Sequence, residues 1–397
     1  MPAGKKLISF ATIIKTVYNP NPEQSMKISI RTAMALKTKA LAGELSLLFL
    51  LGGCHKKVNY FNGEIITVKD IPVSDTLTGE RLLLDSINTG MLSLCDTTLF
   101  FMGHRTPDYH YYCFNTDGRF IAGYFQKGRG ADEYFSITPI IQKYKENGEW
   151  KALFTAINEE KAGIFNITKS LQQRKTVCDT IFDFRWRDKS SRSFMSVFIY
   201  DENNILAYKQ AERRENTKTD VDPMPQWLLI DRRTGKINKT YDLYSVPKDL
   251  PAQQASDNRF FSSLNLLNND RTRMVMTMPL VPQLNILDLE TGILKGYRIE
   301  NQPTLENLAE QSNDLRQYYG FPEIDDRFIY VLYLDRNFMK REENKGCTLY
   351  VFDWEGQLVY KLYIPEGIDQ IQVDAKNRLL YGVNLQMEEV YRYPLPF

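Results

Sequence analysis

Downstream of residue 90 the chain alternates short apolar runs with polar turns, and no long stretch of helical periodicity interrupts them. The first clear unit sets the rule. MLSLC (91–95), LFFMG (99–103), HYYCF (110–114) and FIAGYF (120–125) read as strands. Asp96-Thr97-Thr98 separates the first two. Thr116-Asp117-Gly118 separates the last two, where Asp-Gly tolerates the positive φ that a hairpin demands. Four antiparallel strands in this length of chain match a propeller blade.

The unit recurs. Polar turns between first and second strands fall at Asp96-Thr97, Asn147-Gly148, Glu202-Asn203, Asn269-Asp270, Asp325-Asp326 and Lys376-Asn377. The second marker returns as Arg233-Thr234-Gly235, Glu290-Thr291-Gly292 and Trp354-Glu355-Gly356, each between two apolar runs. The second unit has Asn166-Ile167-Thr168 in that place. Repeats of this length predict a six-bladed all-β propeller. The last unit ends at Phe397 one strand short, and GEIITVKDI (63–71) is the expected supplier of that strand. An N-terminal strand would thus close the ring and remove a sheet edge.

The first 54 residues follow a different rule. Lys27, Arg31, Lys37 and Lys39 precede the apolar run LSLLFLL (45–51), which is too short for a transmembrane helix. Leu51-Gly52-Gly53-Cys54 follows. Basic, apolar, then small residues is the secretory-signal pattern. It predicts a signal peptide over 1–53, with translation starting at Met26 or Met34, a linker over 54–62 and the propeller over 63–397. LGGC resembles a bacterial lipobox, which implies lipidation of Cys54 and attachment to a membrane.

Composition then sharpens the picture. The whole chain carries 50 basic and 49 acidic residues. Residues 1–54 hold seven of the bases and two of the acids, so the rest is mildly acidic, which argues against a nucleic-acid partner. Four cysteines remain: Cys95, Cys113, Cys178 and Cys347. Their spacing matches no zinc pattern. Cys95 and Cys113 are candidates to face each other on neighbouring strands, the alternative being four small buried apolar residues.

The lipobox, the six-unit layout and KGRGADEYF (127–135) together resemble the TolB-like six-bladed β-propeller lipoproteins of Bacteroidetes. In that family a Gly-x-Gly-Pro-x-Glu-aromatic motif follows the first blade. Gly128, Gly130, Glu133 and Tyr134 match it, and Ala131 replaces the proline. The resemblance implies an outer-membrane lipoprotein of the cell envelope and carries over no catalytic residues. His55-Lys56-Lys57 lacks the acidic residues associated with surface export in such lipoproteins, which points to the periplasmic side.

Function in such a ring belongs on loops at one mouth. The residues expected there are His104, Arg105, Asp108 and His110 from the first blade. Arg129, Asp132, Glu133 and Tyr134 come from its exit, Glu159 and Glu160 from the second blade, and Trp186 from the entry to the third. Tyr109 and Tyr318 are further surface aromatics. The paired glycines of GRGADEY either present amides to an anion or make a tight crossing between blades, with Glu133 satisfying the loop's own backbone. There is no Gly-x-Ser-x-Gly elbow and no phosphate-binding loop. The leading expectation is a binding module for a protein, peptide or glycan, with no cofactor. The alternative is a hydrolase or lyase using calcium or another divalent metal, which needs three of His104, Asp108, His110, Glu159 and Glu160 in one coordination sphere.

Overall fold

The computed structural model describes residues 60–85, 90–103, 107–130, 132–156, 161–183, 194–209, 224–245, 258–309, 315–337 and 345–397. All lie within one compact unit, Asn59–Phe397. Three short strands come first: β1 (Glu64–Val68), β2 (Asp75–Thr76) and β3 (Glu80–Leu82). Six sheets follow. Blade 1 is β4 (Met91–Cys95), β5 (Thr98–Met102), β6 (Tyr109–Asn115) and β7 (Phe120–Gln126). Blade 2 is β8 (Gln142–Glu146), β9 (Glu149–Ala156), β10 (Lys161–Asn166) and β11 (Cys178–Asp183). Blade 3 is β12 (Phe194–Ile199), β13 (Asn204–Lys209), β14 (Gln226–Asp231) and β15 (Ile237–Asp242). Blade 4 is β16 (Leu264–Leu267), β17 (Arg273–Thr277), β18 (Leu284–Asp288) and β19 (Leu294–Ile299). In blade 5 the first strand is split, as β20 (Arg316–Tyr319) and β21 (Glu323–Ile324), before β22 (Phe328–Asn337), β23 (Cys347–Asp353) and β24 (Leu358–Ile364). Pro322, which has no N–H for the ladder, sits at the split. Blade 6 is β25 (Gln370–Asp374), β26 (Leu379–Asn384) and β27 (Glu389–Pro394), with β3 as its fourth strand.

The apolar runs are nearly continuous because each blade is covered on both faces. Along β5, Leu99 and Phe101 enter a core shared with Tyr381, Val383 and Val390 of blade 6. Phe100 and Met102 point the other way, toward Ala152, Phe154 and Phe165 of blade 2. Along β22, Ile329 and Val331 pack with blade 4, while Tyr330 and Leu332 pack with blade 6. The period of two survives, but both phases are apolar.

The expected hairpin turns form as read, and an Asx residue organises them. Asp231 Oδ1 accepts from the Arg233 and Thr234 N–H groups, and Asp288 Oδ1 accepts from the Thr291 N–H and hydroxyl. Asn115 and Asp353 do the same in blades 1 and 5. Gly118, Gly235, Gly292 and Gly356 sit at φ between 74° and 86°, where a side chain is strained. Blade 2 differs. Asn166 there caps a short helix, Ile167–Gln173, by accepting from Lys169 N–H.

The closing strand corrects the sequence reading. Residues 64–68 do not reach blade 6; β1 pairs parallel with β19 at the outer edge of blade 4. β2 pairs parallel with β24 of blade 5, and β3 pairs antiparallel with β27. The missing strand therefore comes from the expected end of the chain but from a segment further along. The apolar alternation of β1 serves to bury Val68 beside Tyr297 and Ile299. β3 is a polar Glu-Arg-Leu held by Arg392–Glu80 and Arg81–Glu389 ion pairs.

Residues 60–85 thus form a strap along the outer rim. Tyr60 and Phe61, assigned by sequence to the linker, are buried: Asn62 N–H donates to Leu243 O, Ser245 N–H donates to Tyr60 O, and the Tyr60 hydroxyl donates to Gln283 at 2.6 Å. Lys361 bonds Asp70 at 2.9 Å. At the far end Asp85 N–H donates to Gly118 O, and Phe120 N–H donates to the Asp85 carboxylate. The strap touches blades 3, 4, 5, 6 and 1 in that order.

Inner strands are joined by glutamine side chains. Gln370 accepts from Leu92 N–H at 2.9 Å and donates to Leu92 O at 2.8 Å, joining blades 6 and 1. Gln142 does the same with Ile199, joining blades 2 and 3, at 2.7 and 2.8 Å. Each amide acts as one peptide unit of an additional strand.

The cysteines take the second of the two readings that the sequence left open, as unpaired residues. Cys95 and Cys113 lie on β4 and β6, with β5 between them. Two strand spacings are about 9.5 Å, beyond disulfide reach. All four described cysteines are free thiols. Burial pushes Cys95 and Cys347 up to about 12.

Three outcomes are expected. Gln370→Met removes both bonds to Leu92 and leaves two buried backbone groups unpaired; urea unfolding should show a loss of about 2–5 kcal/mol. Thiol reagents at pH 8 should leave Cys95 and Cys347 unmodified until denaturant is added, as read by mass spectrometry. The Thr291 N–H and hydroxyl hold the Asp288 carboxyl below its ordinary value. Its contribution to stability is therefore present above the unfolded value and is lost as pH falls through the folded one. Thermal melts of Asp288→Ala should fall below wild type at pH 7 and converge with it as the pH is taken below the ordinary carboxylate range.

Candidate functional site

Antiparallel connections alternate between the two ends of a blade. Turns between strands one and two, and between three and four, share one end. Outside the helix insertion of blade 2 they span two to five residues, as at 96–97 and 232–236. The other end carries the long connections, 127–141, 210–225, 243–263 and 300–315, beside short ones such as 365–369 and 385–388. The described residues among those expected at the mouth, Asp108, His110, Arg129, Asp132, Glu133 and Tyr134, belong to this second end. His104, Arg105, Glu159, Glu160 and Trp186 lie outside the described residues, as does Cys54.

The described mouth residues form a tightly bonded crossing from blade 1 to blade 2. Lys127 N–H donates to Asp108 O at 2.8 Å, and Tyr134 N–H donates to Gln126 O at 2.9 Å. Glu133 turns its carboxylate inward, accepting from Gly130 N–H at 2.8 Å and from the Gln126 amide at 3.3 Å. A Cβ at Gly128 would meet Glu133 Oε2 at 1.8 Å, and Gly128 has φ +157°. Glycine at 128 suits this positive φ and leaves room for the Glu133 carboxylate that Gly130 N–H holds there. His110 is buried, its Nε2 2.8 Å from Tyr134 O. The Tyr134 ring lies on Phe125 and Phe154 at 5.2 and 5.5 Å. Arg129 and Asp132 are exposed, with the Arg129 guanidinium 5.2 Å from the Phe135 ring. Of the two readings of the glycine loop, the geometry gives the tight crossing. Tyr318, expected at the surface, is buried against Tyr333. Among the described residues no three His, Cys, Asp or Glu side chains converge as a metal site would require.

A second polar cluster was not anticipated. Lys143 of β8, Gln372 of β25 and Glu323 of β21 come from the first strands of blades 2, 6 and 5. Lys143 Nζ donates to Gln372 Oε1 at 2.7 Å, and the Gln372 amide donates to Glu323 Oε1. Lys143 Nζ lies 4.0 Å from Glu323 Oε2. Gln372 Oε1 also accepts from Leu94 N–H of blade 1 at 2.8 Å. The Glu323 side chain is 12% exposed, and burial raises its pKa, opposed by Lys143 and the Gln372 hydrogen bond. Sequence carries no signal for this cluster. Lys143 sits in the alternating QKYKE, Glu323 in the two-residue strand β21 and Gln372 in an ordinary strand.

Comparison with known proteins agrees with this architecture. Residues 91–376 match the family described as TolB-like 6-blade propeller-like. No curated protein matches the chain. Among solved structures, a Bacteroides vulgatus member of the DUF4221 family superposes with a TM-score of 0.54 at 12% identity. The match covers 80% of this chain and 97% of that one. A Bacteroides fragilis protein described as exported superposes with a TM-score of 0.50 at 13% identity, over 83% of this chain and 98% of that one. At these identities the likeness is one of fold. Six sheets of the expected topology and a match spanning most of the ring agree, and the chain belongs to the TolB-like six-blade propeller family.

Proposed function

We propose that the protein is a lipid-anchored binding module of the cell envelope, whose long-connection face takes a protein, peptide or glycan partner. The observation that carries this reading is the asymmetry of the two ends. One end is finished with turns of two to five residues fixed by Asx bonds, whereas the other carries connections as long as 243–263. Part of that length serves the crossings from one blade to the next, which all leave from this end; the connection 210–225 lies within blade 3 and is no such crossing, and its extra backbone is costly to order. The anchor rests on LGGC (51–54) behind its basic and apolar segments. The solved relative described as exported supports an envelope location, and the mildly acidic body supports a partner other than nucleic acid.

The mouth residues bear on the kind of function. Glu133, His110 and Tyr134 are bonded within the crossing itself. They give the face a fixed frame, and Arg129 and Asp132 remain at its surface. Such a frame suits recognition by shape and exposed side chains.

Two measurements test this. Cys54→Ser should shift the protein from the membrane fraction to the soluble fraction; retention on membranes overturns the anchor. A photo-crosslinking side chain at Asp132, on the long-connection face, should yield discrete adducts in intact cells, while one at Thr234, on the turn face, should not. Equal labelling at both positions, or none at Asp132, overturns the assignment of the face.

A further inference from the structure

We propose that Lys143, Gln372 and Glu323 form a proton-responsive bolt across the axis of the ring, coupling blades 2, 5 and 6. Gln372 is its centre. Its oxygen accepts from Lys143 and from Leu94 N–H, and its amide donates to Glu323 and, at 3.1 Å, to Ile371 O. An amide in this position has one orientation, with its oxygen toward the cation and its nitrogen toward the carboxylate. It transmits the charge of Glu323 to Lys143, in addition to their direct approach at 4.0 Å.

The carboxyl of Glu323 is the member whose charge its surroundings oppose. Burial favours its neutral form, and only Lys143 and Gln372 oppose that. Other titratable groups on the surrounding strands are committed elsewhere. The Tyr330 hydroxyl, opposite on β22, donates to Asp325, and Asp374 on β25 accepts from Asn377 N–H. Glu146 on β8 pairs with Lys151, Arg316 on β20 pairs with Asp335, and Cys95 on β4 is a neutral thiol. Lys145 on β8 is exposed.

A proton on Glu323 removes the negative charge that lies 4.0 Å from Lys143 Nζ. The ammonium is then partly buried without that counter-charge, which favours its withdrawal into water; its side chain is already 27% exposed. Blade 2 then loses its tie to blades 5 and 6, while the Gln370 and Gln142 bridges persist. The sign follows from linkage. Because the folded pKa lies above the unfolded one, Glu323 opposes folding when ionised, and that opposition fades as pH falls through the folded value. This is opposite to the behaviour of Asp288.

The test needs no ligand and is independent of the binding reading. Glu323→Gln is a near-isosteric copy of the protonated state. Acylation of Lys143 at pH 8, followed by mass spectrometry, should be several-fold faster in Glu323→Gln than in wild type. The melting temperature of wild type relative to Glu323→Gln should rise as pH falls from 8 to 5. Equal acylation in the two proteins, or a difference in melting temperature that does not change with pH, overturns the bolt. Should Glu323→Gln fail to fold, Lys143→Met serves. Loss of the cation should move the pH-dependent step in melting temperature to higher pH, and an unmoved step overturns the proposal.

Discussion

A four-stranded blade cannot stand alone, because both of its faces are apolar. Leu99 and Phe101 need blade 6 on one side, and Phe100 and Met102 need blade 2 on the other. Every blade has the same requirement, so the cores are satisfied only when the first and last blades meet. That meeting depends on a few contacts. β25 lies beside β4, with Gln370 bridging to Leu92, and β3 is bonded to β27. The amide bridge is strong evidence of how close the two strands come. It supplies a peptide-like donor and acceptor where a fifth strand would not fit.

The strap turns the same requirement outward. By the time the chain reaches β3 it has already bonded to blades 3, 4 and 5, and Asp85 then fastens it to blade 1. A parallel strand on the outer edges of blades 4 and 5 also covers backbone groups that would otherwise offer a site for edge-to-edge association. Interactions between residues some 200 to 300 positions apart, such as Tyr60 with Gln283 and Asp70 with Lys361, make the N-terminal segment part of the hoop that holds the ring.

What the sequence makes legible is what is local. The Asx-Gly turns are written in consecutive residues, because the acceptor, the donor N–H and the positive-φ glycine lie within four or five positions; Asp231 to Gly235 is an example. Four such turns, with the six polar turns between first and second strands, suffice for the fold. The strap was half legible. The count of strands showed that one was missing, but β1 has the stronger apolar alternation and β3 has almost none, since an edge strand held by Glu80–Arg392 has little need of apolar residues. The glycine loop was legible as a choice between two roles, and the position of the Glu133 carboxylate against Gly128 decides it.

The axial cluster shows where such legibility ends. Lys143, Glu323 and Gln372 are separated by 180 residues and by 49, and each occupies a strand position where a polar residue is unremarkable. Only the curvature of the ring, which brings the first strand of every blade toward one axis, puts them within hydrogen-bond reach. An ion pair there is no simple gain in stability, because the desolvation of Glu323 offsets much of its attraction to Lys143. A glutamine or an apolar residue at 323 would fill the same space without that cost. The arrangement therefore makes most sense as a contact whose strength depends on charge, at the axis, where the single side chain of Gln372 meets groups from blades 1, 2 and 5.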